Sequence, residues 1–88
     1  MTENELEKMR LKIDKIDSEI VKLFAKRFAV VKQIGALKKT NSVEIVDKNR
    51  WKKVLEKVEH LAEKNGISTN FIHEIYEKIH DYACKLEQ

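Results

Sequence analysis

Residues 6–37 read LEKMRLKIDKIDSEIVKLFAKRFAVVKQIGAL, and this stretch decides the fold of the chain. Ten of its positions follow one another at alternating spacings of three and four residues, which predicts an amphipathic helix that buries one stripe. The stripe consists of Leu6, Met9, Ile13, Ile16, Ile20, Leu23, Arg27, Val30, Ile34 and Leu37. Because a buried guanidinium is costly unless an anion meets it, Arg27 indicates either an anion pocket or a polar residue that sets helix register.

Two more cations lie beside this stripe. Arg10 and Lys38 each occupy the position directly after a stripe residue, in the next column of the same heptad. Arginine suits carboxylates because its planar fork can donate two parallel hydrogen bonds. Two arginines and a lysine that converge in a dry site would fit a small dicarboxylate. The pattern therefore favours a ligand pocket inside a helical bundle.

Composition predicts one small, all-helical domain covering residues 1–88. The chain has no proline and only two glycines, and it is 38% charged and 42% hydrophobic. One cysteine excludes an internal disulfide, and no apolar run approaches the roughly 20 residues of a membrane span. The polar, acidic start MTENELEKM does not read as a secretory signal, so we expect a cytoplasmic protein. The net charge of +3 favours anionic partners.

The pattern predicts three helices, one long and two shorter. The long helix should start after a cap at Thr2 or Asn4, and Asn65-Gly66 should end the second helix. Val43 and Ile45 are candidates for burial in the polar connection after the first helix. The first helix is predicted from about Glu3 to about Lys39, and the second from its cap at Asp47 to about Lys64. Ser68 or Thr69 should cap the third helix, which extends at least to Leu86.

The length of the first helix predicts a homodimer. A helix of about 35 residues spans about 50 Å, whereas a compact domain of this size is only about 25–30 Å across. The two shorter helices cannot cover a stripe of ten positions. A second copy of the long helix can, because a sustained 3.5-residue repeat is what a helix pair requires. We therefore expect an intertwined, all-α homodimer.

The run from Met9 to Lys39, followed by Asp47-x-x-Arg50, resembles the all-helical (AroQ-class) chorismate mutase domain. The shared elements are R-x-x-I-D-x-I-D-x-x-I-x-x-L-x-x-x-R, a lysine 11 residues after the second arginine, and D-x-x-R in the next helix. They are met by Arg10, Ile13-Asp14, Ile16-Asp17, Ile20, Leu23, Arg27, Lys38, Asp47 and Arg50. Their combined spacing covers nearly the whole chain and is far more specific than any one element.

The resemblance implies the Claisen rearrangement of chorismate to prephenate, a step toward phenylalanine and tyrosine. It implies that Lys38 donates to the ether oxygen and that Arg27 binds one carboxylate, while Arg10 from the other subunit binds the second. Arg50 would support a carboxylate, and Asp47 would lie near the ring hydroxyl. No metal, organic cofactor or covalent intermediate is expected. A fixed ammonium at an oxygen that gains negative charge would stabilise the transition state more than the ground state.

Three positions depart from the family pattern. The third helix normally supplies a second donor to the ether oxygen, often glutamine. Here that position is Glu87, with Gln88 one residue further on. Glutamate must be protonated to donate, so we expect activity to fall as pH rises and Glu87 ionises. Trp51 stands where the family often has a glutamate that contacts the ring hydroxyl, and Ala83 stands where it often has serine. These changes could alter affinity or substrate preference.

Other interpretations remain open on the sequence alone. On the same fold, the chain could be an isochorismate pyruvate-lyase or a mutase of amino-chorismate analogues. It could also be a noncatalytic helical dimer, either a regulatory module or a weak nucleic-acid binder that uses the lysine-rich residues 48–57. Nucleic acid is the less favoured partner because no recognised binding motif is present. His73 and His80 are too sparse for a metal site, and Cys84 reads as a small buried hydrophobe.

Overall fold

The structure, a computed structural model, describes residues 2–41 and 47–88, and these ranges form three α-helices without a strand. The helices are α1 (Glu3–Thr40), α2 (Lys48–Lys64) and α3 (Thr69–Glu87). The predicted all-α class is confirmed, and the predicted bounds agree with these helices to within about one residue. Val43 and Ile45, the predicted buried residues of the connection, lie outside the described residues.

A reciprocal cap starts α1. The Thr2 hydroxyl accepts a hydrogen bond from the Glu5 backbone N–H at 3.2 Å, and the Thr2 backbone N–H donates to the Glu5 carboxylate at 3.4 Å. This capping box satisfies donors that the first turn of a helix leaves without partners. The choice between Thr2 and Asn4 that the sequence left open is therefore settled in favour of Thr2.

The bounds of α2 follow from local chemistry at both ends. Asp47 is the N-cap, and its carboxylate accepts from the Arg50 backbone N–H at 3.0 Å. After the C-cap, Gly66 adopts φ of 69°, a left-handed conformation that glycine takes without strain. The Gly66 N–H donates to the Glu63 carbonyl at 3.2 Å, and the Ile67 N–H donates to the Ala62 carbonyl at 2.9 Å. This pair of bonds is a Schellman motif, which ends the helix.

α2 and α3 follow one another through a short turn and pack against each other. Ser68 caps α3 by accepting from the Phe71 N–H at 3.2 Å. The apolar side chains that become buried are Ala62 from α2 and Ile79 and Ala83 from α3. The hairpin thereby fixes which face of α3 can reach the end of α1.

A histidine links the two helices of this hairpin. His73 of α3 lies with Nδ1 2.8 Å from a carboxylate oxygen of Glu59 in α2, and with Nε2 2.7 Å from a carboxylate oxygen of Glu77 one turn along α3. The hydrogen bond to Glu59 has the largest effect on the pKa of His73, followed by the bond to Glu77, and both raise it above the ordinary value of 6.5. The charged imidazole is therefore the form that this arrangement favours.

The chain divides into two compact units, Met1–Val30 and Val31–Gln88, and α1 contributes residues to both. In the first unit, the apolar stripe of α1 is exposed. The exposed fraction is 56% for Ile13, 54% for Ile16 and 62% for Leu23. Contiguous apolar surface of this kind usually marks an interaction site. One copy of the chain thus leaves uncovered the stripe that the heptad pattern predicts to be buried.

None of the helices over residues 2–41 and 47–88 combines the length and the apolar character needed to cross a membrane.

Candidate active site

Lys38 and Glu87 form the most enclosed ion pair in the described part of the chain. The Lys38 ammonium lies 3.3 Å and 3.4 Å from the two carboxylate oxygens of Glu87. The two side chains are only 18% and 11% exposed, so their interaction is screened less than that of a surface pair. In this pair Lys38 donates and Glu87 accepts. Both residues were predicted to act on the same substrate atom, and the fold brings them together.

Gly35 permits this meeting of α1 and α3. A Cβ atom built on Gly35 would lie 2.8 Å from the Glu87 Cα and 3.0 Å from the Glu87 carbonyl oxygen, closer than real Cβ atoms pack. The absence of a side chain therefore lets the last turns of α1 and α3 approach closely, one turn before Lys38. On the exposed side, the Lys39 ammonium donates to the Gln88 carbonyl at 2.6 Å and adds a second link.

Asp47 and Arg50, the predicted D-x-x-R element, meet at the first turn of α2. Their observed contact is the hydrogen bond from the Arg50 backbone to the Asp47 carboxylate, so this aspartate has a structural task as a helix cap. Both residues are exposed. The Arg50 guanidinium is thus displayed at the start of a helix whose position is set by its own cap.

Arg10 and Arg27, the two other predicted cations, lie in the first unit. Arg10 is exposed and pairs with Glu7 at 3.9 Å, one turn earlier on α1. An exposed pair of this length contributes little to stability. Arg27 is half-buried although it stands in an apolar stripe.

Ala83 is buried one turn before Glu87 on α3, with 9% of its surface exposed. Its methyl group belongs to the packed interior of the hairpin and cannot donate a hydrogen bond. A substrate-binding role for Ala83 is therefore limited to shape.

The structure also assembles a cluster that the sequence analysis did not predict. The indole of Trp51 in α2 stacks on the imidazole of His80 in α3, with ring centroids 4.1 Å apart and planes 15° apart. On α3, the Cys84 sulfur lies 3.6 Å from Nε2 of His80. The spacing of His80, Cys84 and Glu87 (i, i+4, i+7) already places the three on one helix face and was the available signal.

Cys84 connects this cluster to the ion pair electrostatically. Burial raises the pKa of the Cys84 thiol, and the negative charge of Glu87 raises it further, while the positive charge of Lys38 lowers it and Asp81 raises it. A thiol with a raised pKa is a weak nucleophile at neutral pH. Cys84 is half-buried, and thus less enclosed than the small buried hydrophobe that was predicted. Among the described residues, no group of three or more potential ligands could hold a metal ion.

Comparison with known protein families assigns the chain to one of them. The family described as chorismate mutase type II matches residues 9–88, which is nearly the whole chain. The chain belongs to this family. The predicted resemblance is thereby confirmed, and with it the assignment to an enzyme family of chorismate mutases.

Individual relatives of this chorismate mutase family member agree with the assignment. The chain is 38% identical over 89% of its length to the bifunctional chorismate mutase/prephenate dehydratase of Buchnera aphidicola, and 36% identical over 80% of its length to the T-protein of Haemophilus influenzae. It spans only about a fifth of each of those proteins. A chorismate mutase of Methanocaldococcus jannaschii is 26% identical over 94% of this chain, which covers 84% of that relative.

Proposed function

We propose that this chain catalyses the Claisen rearrangement of chorismate to prephenate, a step in the biosynthesis of phenylalanine and tyrosine. Membership of the chorismate mutase type II family supports the reaction. The single observation that carries the mechanism is the enclosed Lys38–Glu87 pair, because it places a fixed ammonium beside a second polar group. The reaction is intramolecular: one C–O bond breaks while one C–C bond forms, so no co-reactant is needed.

In this proposal Lys38 acts on the ether oxygen of the substrate. Negative charge builds on that oxygen as its bond to carbon breaks, and an ammonium already in place stabilises this charge without reorganising. Enclosure strengthens the effect, since water screens it less. Glu87 adds a second hydrogen bond to the same oxygen only when its carboxyl group is protonated. Otherwise it orients Lys38 through the observed hydrogen bonds.

The two carboxylates of chorismate are held by arginines. Arg27 binds one of them, and Arg10 of the partner subunit binds the other. The weak local pair of Arg10 with Glu7 is easily exchanged for a bidentate bond to a carboxylate. Clamping both ends favours the folded conformer in which the two reacting carbons meet. Arg50, at the start of α2, supports the binding of a substrate carboxylate. Asp47 and its backbone lie near the ring hydroxyl of the substrate.

A homodimer with two shared sites follows from the same proposal. The exposed apolar stripe of α1 supports it, since a second α1 would cover side chains such as Ile16 and Leu23 that one chain leaves exposed. The chain needs no metal or organic cofactor for this reaction, and we expect it to work in the cytoplasm. A nucleic-acid partner is not part of the proposal.

Product analysis tests the proposal directly. The purified protein is incubated with chorismate and, separately, with isochorismate, and the products are identified. Prephenate from chorismate is expected, and Lys38→Ala should lower its formation about a hundredfold or more, the usual effect of losing one transition-state donor. Lys32→Ala is the matched control, because Lys32 is an exposed lysine of the same helix. It should keep normal activity.

The other products separate the rival functions. Salicylate and pyruvate from isochorismate would instead identify an isochorismate pyruvate-lyase. Preferred turnover of an amino-chorismate analogue would identify a mutase of that substrate. No turnover of any of these compounds, together with full tolerance of Lys38→Ala in folding and assembly, would favour a noncatalytic helical module.

A further inference from the structure

The imidazole of His80 is held in place by neighbours on two sides. Trp51 covers one ring face at a centroid distance of 4.1 Å, and Cys84 contacts the ring from the next turn of α3. His80, Trp51 and Cys84 are all half-buried. Stacking restricts the rotation of an aromatic ring, so the polar atoms at the edge of the ring point in a fixed direction. The ring nitrogens of His80 are therefore held at the edge of this half-buried stack.

The protein gives the imidazole of His80 only weak hydrogen-bond contacts. Within residues 2–41 and 47–88, the hydrogen-bond contacts of His80 are those of its ring nitrogens with the Cys84 sulfur, at 3.6 Å and 3.9 Å. A thiol is a weak donor and a weak acceptor. A half-buried imidazole in such surroundings can bond a further polar group of a ligand, because a neutral ring offers one donor and one acceptor.

His80 and Glu87, the partner of Lys38, lie on the same face of α3. Glu87 follows His80 by two turns of α3, about 10 Å along the axis, and helical side chains lean toward the N-terminus, so Glu87 leans back toward His80. Cys84 lies between them: it contacts His80 directly and responds electrostatically to both Glu87 and Lys38. Cys84 thus links His80 to the Lys38–Glu87 pair, by contact on one side and by charge on the other.

We infer that His80, braced by Trp51, is a specificity-determining residue that hydrogen-bonds the ring hydroxyl of the substrate. The inference rests on the proposed function. In chorismate, the carbon that carries the hydroxyl is bonded to the carbon that carries the ether oxygen. A ligand whose ether oxygen meets Lys38 therefore presents its hydroxyl a few ångströms away. His80 supplies the polar atom on the α3 side of that position, and Trp51 supplies a flat wall.

The test measures kcat/KM of wild type and His80→Phe on chorismate and on a derivative that lacks the ring hydroxyl. Phenylalanine keeps the stack on Trp51 and removes both ring nitrogens. The expected result is a loss of about five- to tenfold on chorismate, mostly in KM, and little change on the deoxy derivative, as for one neutral hydrogen bond. This comparison isolates the hydroxyl because each variant is measured against both substrates.

Variants of Trp51 test the bracing. Trp51→Phe preserves an aromatic face and should keep the preference for the hydroxylated substrate. Trp51→Leu should lose that preference to the same extent as His80→Phe. The double variant, Trp51→Leu with His80→Phe, should lose no more of the preference than either single variant. His60→Phe, a change of an exposed histidine of α2, is the control and should behave as wild type. Thermal unfolding of each variant shows that the fold is kept.

The outcomes distinguish this inference from the proposed function. Absence of turnover by the wild type would overturn the proposed function itself. A wild type that is active, with a His80→Phe variant that loses the same factor on both substrates, would show that His80 only supports the fold. An unchanged His80→Phe variant would remove His80 from the site.

Discussion

Gly35 and Glu87 pack backbone against backbone: a Cβ on Gly35 would lie 2.8 Å from the Cα of Glu87. This contact holds the Lys38 side chain opposite the Glu87 carboxylate. Glycine inside a helix costs about 1 kcal/mol relative to alanine, so its presence there needs a compensating gain. The close approach of α1 and α3 is that gain.

Gly35→Ala is therefore expected to lower both stability and activity. The new methyl group would push α3 away, and overpacking of this kind typically costs about 1–3 kcal/mol, more than the gain in helix propensity. Urea unfolding measures the loss of stability, and kcat/KM measures the loss of activity caused by displacement of the Lys38–Glu87 pair. Ala36→Ser, at the exposed neighbouring position, is the control. A Gly35→Ala protein that is more stable and fully active would contradict the packing described above.

Glu87→Gln is expected to flatten the dependence of activity on pH. In the wild type, Glu87 donates to the ether oxygen only when its carboxyl group is protonated. Glutamine donates at every pH and does not ionise. The measurement is kcat between pH 5 and 9 for both proteins, with product identified as prephenate. Identical pH profiles would exclude a donor role for Glu87.

The Cys84 thiol is expected to react slowly with iodoacetamide at neutral pH. Burial and the nearby Glu87 carboxylate raise the pKa of this thiol, whereas the Lys38 ammonium lowers it. The midpoint of the pH–rate profile should thus lie above that of the denatured protein. Glu87→Gln should move it down and Lys38→Ala should move it up. Shifts in the same direction for the two variants would show that the cluster does not act on Cys84 through charge.

The stability of the protein should decline as pH rises above 6.5, in part because of His73. Its pKa is raised in the folded protein, first by the hydrogen bond to Glu59 and then by that to Glu77. The resulting stabilisation is complete below the unfolded value of 6.5 and is lost as pH rises through the higher folded pKa. Thermal unfolding at fixed protein concentration should show a smaller decline for His73→Gln than for wild type. His60→Gln should follow the wild-type curve.

Two inactive variants should restore activity when mixed, if each site takes Arg10 from the partner subunit. Arg10→Ala and Lys38→Ala are each expected to be inactive. After unfolding and refolding together at equal concentration, half of the dimers should be mixed, and each of these should carry one intact site of two. About a quarter of wild-type activity is then expected. Mixed dimers that are confirmed by mass spectrometry and remain inactive would refute the shared site.

Local signals in the sequence predicted the helices well. Asp47 caps α2 as predicted, and Ser68, one of the two predicted candidates, caps α3. The predicted stop at Asn65-Gly66 ends α2, and there Gly66 adopts a left-handed conformation. These features depend only on residues within a few positions of one another. The 3-4 pattern of α1 was equally readable because one helix determines its own face.

Contacts between helices were harder to predict. The spacing of His80, Cys84 and Glu87 puts them on one face of α3, a signal that was not used, but the stack with Trp51 depends on how α2 rotates against α3. That rotation is set by small packed residues such as Ala62. The Lys38–Glu87 meeting was expected from a family resemblance and not from spacing, since 49 residues separate the two. Sequence periodicity carries no information on such distant pairs.

The Lys38–Glu87 pair has a consequence for ligand selection. The lysine has an internal counterion, held at 3.3 Å and largely shielded from water. A small monovalent anion such as acetate would have to compete with that carboxylate for one ammonium and would gain no other fixed contact. A ligand that brings an ether oxygen, and anchors its charges elsewhere, can share the lysine without displacing its counterion. The proposed site is thus expected to disfavour simple anions before any chemistry begins.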